Sequence, residues 1–370
     1  MDLHCYLPVK GRRHRALLHA LKLREIPVEG YEQVVEVIYE PADLHGIIAI
    51  HSTQLGPGCG GIRAFPYSSF DQALTDVLRL AKGMTYKSSI AQTGTGGAKS
   101  VLILKKSQSK TKEMLIAFAE TINLFKGRYY GGEDMGITLA DLAIMHEVTP
   151  YVVGLSLAGS SGDPSNFTAH GGARGIQAVC KKLWGTPSVR GKKIAVQGLG
   201  SVGMKLIQHL FWEGAELIVA DVNALLVEDA VNHWGAKGVA PEEILKVKCD
   251  IFAPCAIGGI LNAKTIPQLN CYAVAGVANN QLLTPEDGDR LLQRGILYAP
   301  DFVINAGGLI NISSEIKHQK YRPEYARERV DHLYDLLLSI FEQSESKHRS
   351  TNDIAVEIAE HYLHESRALK

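Results

Sequence analysis

Apolar residues recur along this chain with two alternating periods, and the switches between them outline its elements. Gly46–Ile50 (GIIAI) is a short continuous apolar run that predicts a buried strand, and a glycine-rich turn, Leu55–Gly61 (LGPGCGG), follows it. From Asp71 onward Leu74, Val77, Leu78, Ala81 and Met84 follow the spacing of one helix face. That helix runs into Thr85-Tyr86-Lys87, and a second glycine run, Gly94–Gly97, leads to Lys99 and a strand at Val101–Leu104. Further helices are predicted at Lys112–Phe125 and Leu139–Val148.

Beyond Gly154 the texture changes. A glycine- and serine-rich passage leads into a helix ending near Trp184. A strand at Lys193–Gln197, a helix at Val202–Trp212, a strand at Glu216–Asp221 and a helix near Ala224–His233 come next. Short apolar runs then stand at Ile251–Ala253, Tyr272–Ala275 and Leu297–Tyr298. Short apolar strands separated by helices imply a parallel, doubly wound sheet. Two long helical stretches close the chain, with the polar break SESKHRSTND between them. The expected division is therefore an α/β domain over 1–153, a Rossmann-type doubly wound domain over 154–348, and a helix over 349–370 returning to the first domain. Residues 1–28 are basic and irregular, with Arg12, Arg13, His14 and Arg15 together, and read as a loose extension before order begins near Tyr31.

Composition narrows the classes without naming one. The 370 residues carry 39 basic and 39 acidic side chains, so the phosphate-driven basic excess of a nucleic-acid binder is absent. No apolar run approaches the ~18 residues of a membrane span, and charges interrupt the apolar stretches of the N-terminus, unlike a secretory signal. The six cysteines form no CxxC pair, which argues against a disulfide framework or zinc site and for a reducing cytoplasm. Among the histidines only His361 and His364 are spaced one helical turn apart, and they read as a solvated face, so no metal is expected.

Gly198-Leu199-Gly200-Ser201-Val202-Gly203 is a GxGxxG placed directly after a strand and opening a helix. Gly198 permits the tight turn, Gly200 lets backbone approach a pyrophosphate, and Gly203 lets helix and strand pack closely. The helix N-terminus offers free N–H groups to the diphosphate. Asp221 ends the next strand, where a carboxylate accepts hydrogen bonds from ribose hydroxyls and repels a 2′-phosphate. No Arg or Lys follows in VNALLVED, so NAD is expected rather than NADP.

Two lysines stand out in the first half. Lys87 follows an apolar helix and precedes the uncharged run Ser88–Ala91, and Lys99 sits between a glycine run and an apolar strand. Burial moves a lysine toward the range useful for a general base, and a lysine held by glycine loops binds a small carboxylate as a point charge. Glu133-Asp134, in YYGGEDMG after a strand-like Arg128–Tyr130, supplies carboxylates. A dinucleotide domain combined with two lysines and an acid reads as a dehydrogenase of a small anionic substrate.

These residues belong to longer strings: LGPGCGG-R at Leu55–Arg63, LRLAKGMTYK at Leu78–Lys87, GGAK at Gly96–Lys99 and GGEDMG at Gly131–Gly136, then GSSGDP at Gly159–Pro164, VQGLGSVG at Val196–Gly203, DIFAPCAIGGILN at Asp250–Asn262 and APDFVINAGG at Ala299–Gly308. In them the chain resembles the glutamate/leucine/phenylalanine/valine dehydrogenase family, most closely its leucine-specific members, from about Glu29 onward. The resemblance implies that Lys87, with Gly60 and Gly61, binds the substrate α-carboxylate, and that Lys99 is a low-pKa lysine that activates water. It implies that Asp134 positions the amino group and relays protons, that Asn280 bridges the carboxylate and the nicotinamide ribose, that Thr168 contacts the carboxamide, and that Ala256 and Asn305 line the cofactor site. The reaction implied is oxidative deamination to a 2-oxo acid and ammonia.

Glutamate-specific members carry a lysine where this chain has Cys59, and an isolated carboxylate in an uncharged pocket is costly. Leucine-specific members usually show Leu at Cys59, Ala at Gly132 and Val at Leu309, and the Gly132 and Leu309 pair, like the ANN of Ala278–Asn280, is similar to phenylalanine-specific members. Ile312 keeps the pocket wall apolar. Leucine, valine and isoleucine are the expected substrates and phenylalanine the rival. A non-catalytic NAD-binding regulatory protein on the same fold is the alternative from another class. The resemblance also implies a homo-oligomer, an octamer among the family's forms.

Overall fold

The computed structural model describes residues 19–106, 109–156, 159–318 and 321–368. They pack as two compact units, the first holding the described residues up to Thr85 with Thr95–Ser160, the second Tyr86–Gly94 with Ser161 onward.

The first unit is built on a six-stranded mixed sheet of β1 (Lys22–Glu25), β2 (Gln33–Tyr39), β3 (Leu44–Ser52), β4 (Gly58–Phe65), β5 (Gly96–Ile103) and β6 (Tyr129–Gly132), in the order β1-β2-β3-β5-β4-β6. β4 runs parallel to both β5 and β6, whereas β1, β2, β3 and β5 pair antiparallel in turn. The apolar run in β3 is continuous because both faces are covered. Ile47 and Ala49 face Ala73, Val77 and Ala81 of helix α1 (Phe70–Ile90), and Ile48 and Ile50 face Phe118 and Ile122 of α2 (Lys112–Leu124). A third helix, α3 (Leu139–His146), opens on a capping box in which Thr138 and Asp141 satisfy each other's backbone N–H.

Residues 1–18 of the expected loose extension lie outside the described residues, but the rest of it is not loose. β1 pairs antiparallel with β2, and Arg24 stands opposite Glu36 with its Nε 2.6 Å from Oε2. Among the described residues, regular pairing therefore begins at Lys22 rather than near Tyr31.

The second unit begins its main run with α4 (Ser165–Trp184) and carries an all-parallel six-stranded sheet: β7 (Lys193–Gln197), β8 (Glu216–Ala220), β9 (Lys237–Gly238), β10 (Ile251–Pro254), β11 (Ala273–Val274) and β12 (Leu297–Tyr298), ordered β12-β11-β10-β7-β8-β9. Strand order reverses direction at β7, the switch point where doubly wound folds hold dinucleotides. Helix α5 (Ser201–Trp212) follows β7. Ile194 and Val196 of β7 join one apolar cluster and Ala195 the other, so this sheet too is covered on both faces.

Packing departs from the expected boundaries at two places. Residues 86–94 belong with the second unit because Ser89 Oγ donates to Ala359 O at 2.6 Å and Ile90 and Ala91 join its apolar cluster. The closing helix Thr351–Ala368 belongs there as well, since Ile354, Ala355 and Ala359 are buried in the same cluster.

Candidate active site

In the first unit, Lys99 lies in the middle of β5, paired in register with Ala49 of β3, and is almost fully buried. A buried ammonium needs a partner. Asp134, two residues past the end of β6, supplies one with Oδ2 at 2.8 Å from Lys99 Nζ. Arg63 of β4 reaches the same oxygen with Nε at 3.1 Å. Burial by itself opposes ionisation of Asp134, but the Lys99 and Arg63 cations and the Met135 N–H outweigh it and bring its pKa down to about 2.

Glycines make room for this group. A side chain at Gly61 would meet Asp134 Cβ at 2.7 Å and Lys99 Nζ at 3.0 Å, and one at Gly60 would lie 1.8 Å from the Ala98 carbonyl oxygen of the neighbouring strand. Gly61 pairs in register with Gly132, which is buried, and Cys59 is buried opposite Gly97 and Tyr130. The structure thus brings Cys59, Gly60, Gly61, Lys99, Gly132 and Asp134 together at the adjoining strands β4, β5 and β6.

In the second unit, Lys87 Nζ donates to Asn279 Oδ1 at 3.0 Å, and Asn305 Nδ2 donates to the same oxygen at 2.9 Å. Asn280, next along the chain, is exposed at φ +52° with its carbonyl accepting from Gly259 N–H, while the side chain of Asn279 joins Lys87 to Asn305. Beneath them Asp301 is buried and accepts from the N–H groups of Gln281 and Phe302, each at 2.7 Å. Burial pushes its carboxyl above the usual range, against those donors and the charge of Lys87. Leu309 and Ile312 lie one turn apart on α6 (Gly307–His318), Leu309 buried and Ile312 half-buried.

The glycine turn fits a dinucleotide. Gly198 has φ +95°, and a Cβ there would meet Ala256 Cβ at 2.7 Å; one at Gly203 would lie 2.0 Å from the Gly198 carbonyl oxygen. A Cβ at Gly200 would meet nothing within 4 Å, so the backbone is open there, and no side chain caps the helix that Ser201 and Val202 begin. Asp221 accepts from Leu199 N–H at 2.6 Å and Asn223 N–H at 2.8 Å, tying the end of β8 to the turn. Thr168 Oγ1 donates to Pro164 O at 3.0 Å in the first turn of α4, close under Gly308. Asn305 Oδ1 is buried without a partner among the described residues, an open acceptor for an amide N–H such as a carboxamide's. These features match the donors and openings that the diphosphate and carboxamide of a nicotinamide dinucleotide require.

Arg63, Asn279 and Asp301 were not singled out by sequence reasoning. Each sits inside or beside a string already quoted (Leu55–Arg63, the ANN of Ala278–Asn280 and Ala299–Gly308), so the signal was position in a motif rather than residue type.

Comparison with known proteins gives one answer at two levels. The family profile described as Glu/Leu/Phe/Val dehydrogenase, dimerisation domain, matches residues 33–155, and that described as Glutamate/Leucine/Phenylalanine/Valine dehydrogenase matches residues 225–361. Leucine dehydrogenase of Geobacillus stearothermophilus is 47% identical over 312 residues, 84% of each chain. Phenylalanine dehydrogenase of Caldalkalibacillus thermarum is 44% identical over 344 residues, 91% of this chain and 92% of the relative. The crystal structure of L-tryptophan dehydrogenase from Nostoc punctiforme superposes with a TM-score of 0.79 at 40% identity, covering 92% of this chain and 97% of that one.

Proposed function

The chain belongs to the Glu/Leu/Phe/Val dehydrogenase family and is an amino-acid dehydrogenase dependent on a nicotinamide dinucleotide, and from that premise we propose that it oxidatively deaminates small apolar L-amino acids, leucine and its branched relatives first, with NAD. The observation that carries this reading is the buried Lys99–Asp134 pair at 2.8 Å. NAD, when bound, supplies the acceptor for the hydride that leaves the α-carbon, and the dinucleotide is held by Gly198, Gly200, Ser201, Val202, Gly203, Asp221, Thr168, Ala256 and Asn305. Lys87 binds the α-carboxylate as a point charge and Asn279 orients its ammonium. Lys99 takes the proton from the water that adds to the imino carbon. A carboxyl with pKa about 2 is ionised at neutral pH, so Asp134 accepts from the substrate amine, orients it and relays its protons beside Lys99. The products are the 2-oxo acid, ammonia and the reduced dinucleotide.

Uncharged Cys59 in the first unit, and Leu309 and Ile312 in the second, support an apolar substrate side chain, because none of them offers a counter-ion to a glutamate carboxylate. Buried Gly132, which adds no side-chain volume, favours phenylalanine as the second reading. Asp221 supports NAD over NADP by like-charge repulsion of a 2′-phosphate. The match to a profile described as a dimerisation domain supports a homo-oligomer.

Absorbance at the reduced-nicotinamide band, with leucine, valine, phenylalanine and glutamate and with NAD or NADP, tests the reading. The expected order places leucine and valine above phenylalanine, and glutamate and NADP at least ~100-fold below. Phenylalanine ahead of leucine promotes the second reading. Lys99→Ala should lose turnover by at least ~1,000-fold while NAD affinity stays within about twofold; equal loss of both means that Lys99 is structural.

A further inference from the structure

Arg63 leaves β4, the strand hydrogen-bonded on one side to β5, which carries Lys99, and on the other to β6, which leads to Asp134. Its two arms are both engaged. Nε meets Asp134 Oδ2 at 3.1 Å, and a terminal nitrogen meets Asp76 Oδ2 on α1 at 2.8 Å. Asp76 is held in turn by Tyr67 Oη at 2.7 Å and an Arg79 guanidinium nitrogen at 3.3 Å. The result is a row of alternating charges, Asp76, Arg63, Asp134 and Lys99, whose four side chains are each less than one-fifth exposed.

We infer that Arg63 is the positioning residue of the Lys99–Asp134 pair: anchored from behind by Asp76, it fixes the carboxylate and shares its charge, so that Lys99 is not the sole counter-ion. This rests on the reaction proposed above. A guanidinium suits the task because its planar fork reaches two carboxylates at once and it keeps its proton at any working pH. Without it, Asp134 would bind the Lys99 ammonium alone, and every proton that Lys99 must release would be harder to remove.

A bolt between β4 and α1 would give the same contacts, so the test must separate charge from scaffolding. The charged and titratable groups around Arg63 are Asp76, Arg79 and Asp71 on α1, Lys99 on β5, Asp134 after β6 and Tyr67 after β4. Deleting a cation from this set raises the proton affinity of its neighbours, and deleting an anion lowers it. We would measure kcat and KM against pH for the preferred apolar amino acid in the wild type, Arg63→Gln, Arg63→Lys and Asp76→Asn, with thermal melting to verify the fold. Arg63→Gln should lower kcat at least tenfold, with KM changed less, and move the profile to higher pH by about one unit. Asp76→Asn should move it the opposite way by a few tenths, and Arg63→Lys should return its position without restoring the full kcat. Asp76 borders an open cavity of about 610 Å³, where water can solvate the amide, so this variant carries the test if Arg63→Gln fails to fold. An active wild type whose variants lose kcat with an unmoved profile, or with shifts of the same sign, overturns the inference alone. An inactive wild type overturns the proposed reaction first and this inference with it.

Discussion

At the scale of single residues, membership of the candidate site was legible where sequence context constrained it and illegible where a distant partner did. Lys87, Lys99 and Asp134 could be picked out because glycine runs and apolar neighbours are unusual company for charged groups. Asn279 could not, because what distinguishes it from Asn280 is contact with Lys87, 192 residues away. Arg63 owes its place to carboxylates on a helix and on a turn 71 residues on. His51 shows the same dependence and yields a prediction. Its ring is held by Thr85 Oγ1 at 2.8 Å, and burial, helped by Lys82 and opposed by Glu32, brings its pKa down to about 4 from 6.5. The folded state thus resists a proton that the unfolded state accepts, so stability is lost as pH falls from about 6.5 to about 4 and no further below that. The fall corresponds to ~3 kcal/mol at full strength, and partial exposure reduces the expectation to about 2 kcal/mol. His51→Gln should flatten the urea-melting midpoint across that range; an unchanged slope would mean that the ring protonates freely in the fold.

At the scale of elements, the parallel sheet of the second unit was legible because strand, glycine turn and helix each carry a local signal that agrees with the next. β1 was not, because its four residues (KLRE) have only one apolar member and are held by a cross-strand pair, Arg24 with Glu36, that hydrophobic period cannot report. The span of α1 was readable, but not its division: a single helix contributes residues to Thr85 to one core and Tyr86 onward to the other. Within the glycine turn the three glycines answer to different constraints, and alanine separates them. Gly203→Ala puts a methyl 2.0 Å from the Gly198 oxygen and should destabilise the protein by about 2–3 kcal/mol in denaturant melts. Gly200→Ala meets nothing within 4 Å and sits at φ −64°, so the fold should keep its stability within about 0.5 kcal/mol. NAD affinity in the same variant should fall at least tenfold, because the methyl occupies space that the diphosphate needs. Tight NAD binding by Gly200→Ala would remove the turn from the cofactor site.

At the scale of the molecule, each unit buries its own apolar clusters on both faces of its own sheet, so each has the means to respond to a ligand separately. Every residue proposed to hold the dinucleotide lies in the second unit, whereas Lys99, Asp134 and Arg63 lie in the first. A ligand that binds only the folded chain stabilises it by ~2.7 kcal/mol at one hundred times its Kd, and slower amide exchange appears where the ligand suppresses opening. NAD alone should therefore slow exchange most at residues 197–203 and along β7 and β8. Protection at β5 and β6 should wait for the apolar amino acid or its 2-oxo acid, since only the substrate touches Lys99 and Asp134 in the proposed reaction. Exchange followed by mass spectrometry, with NAD, with substrate and with both, reads the two units independently. Equal protection of β5 and β7 by NAD alone would show that the units open as one cooperative body, and the site would then have to be treated as a single folding unit. Protection at neither would mean that the glycine turn does not hold the dinucleotide, and the assignment of Asp221 and Asn305 to the cofactor would fall with it.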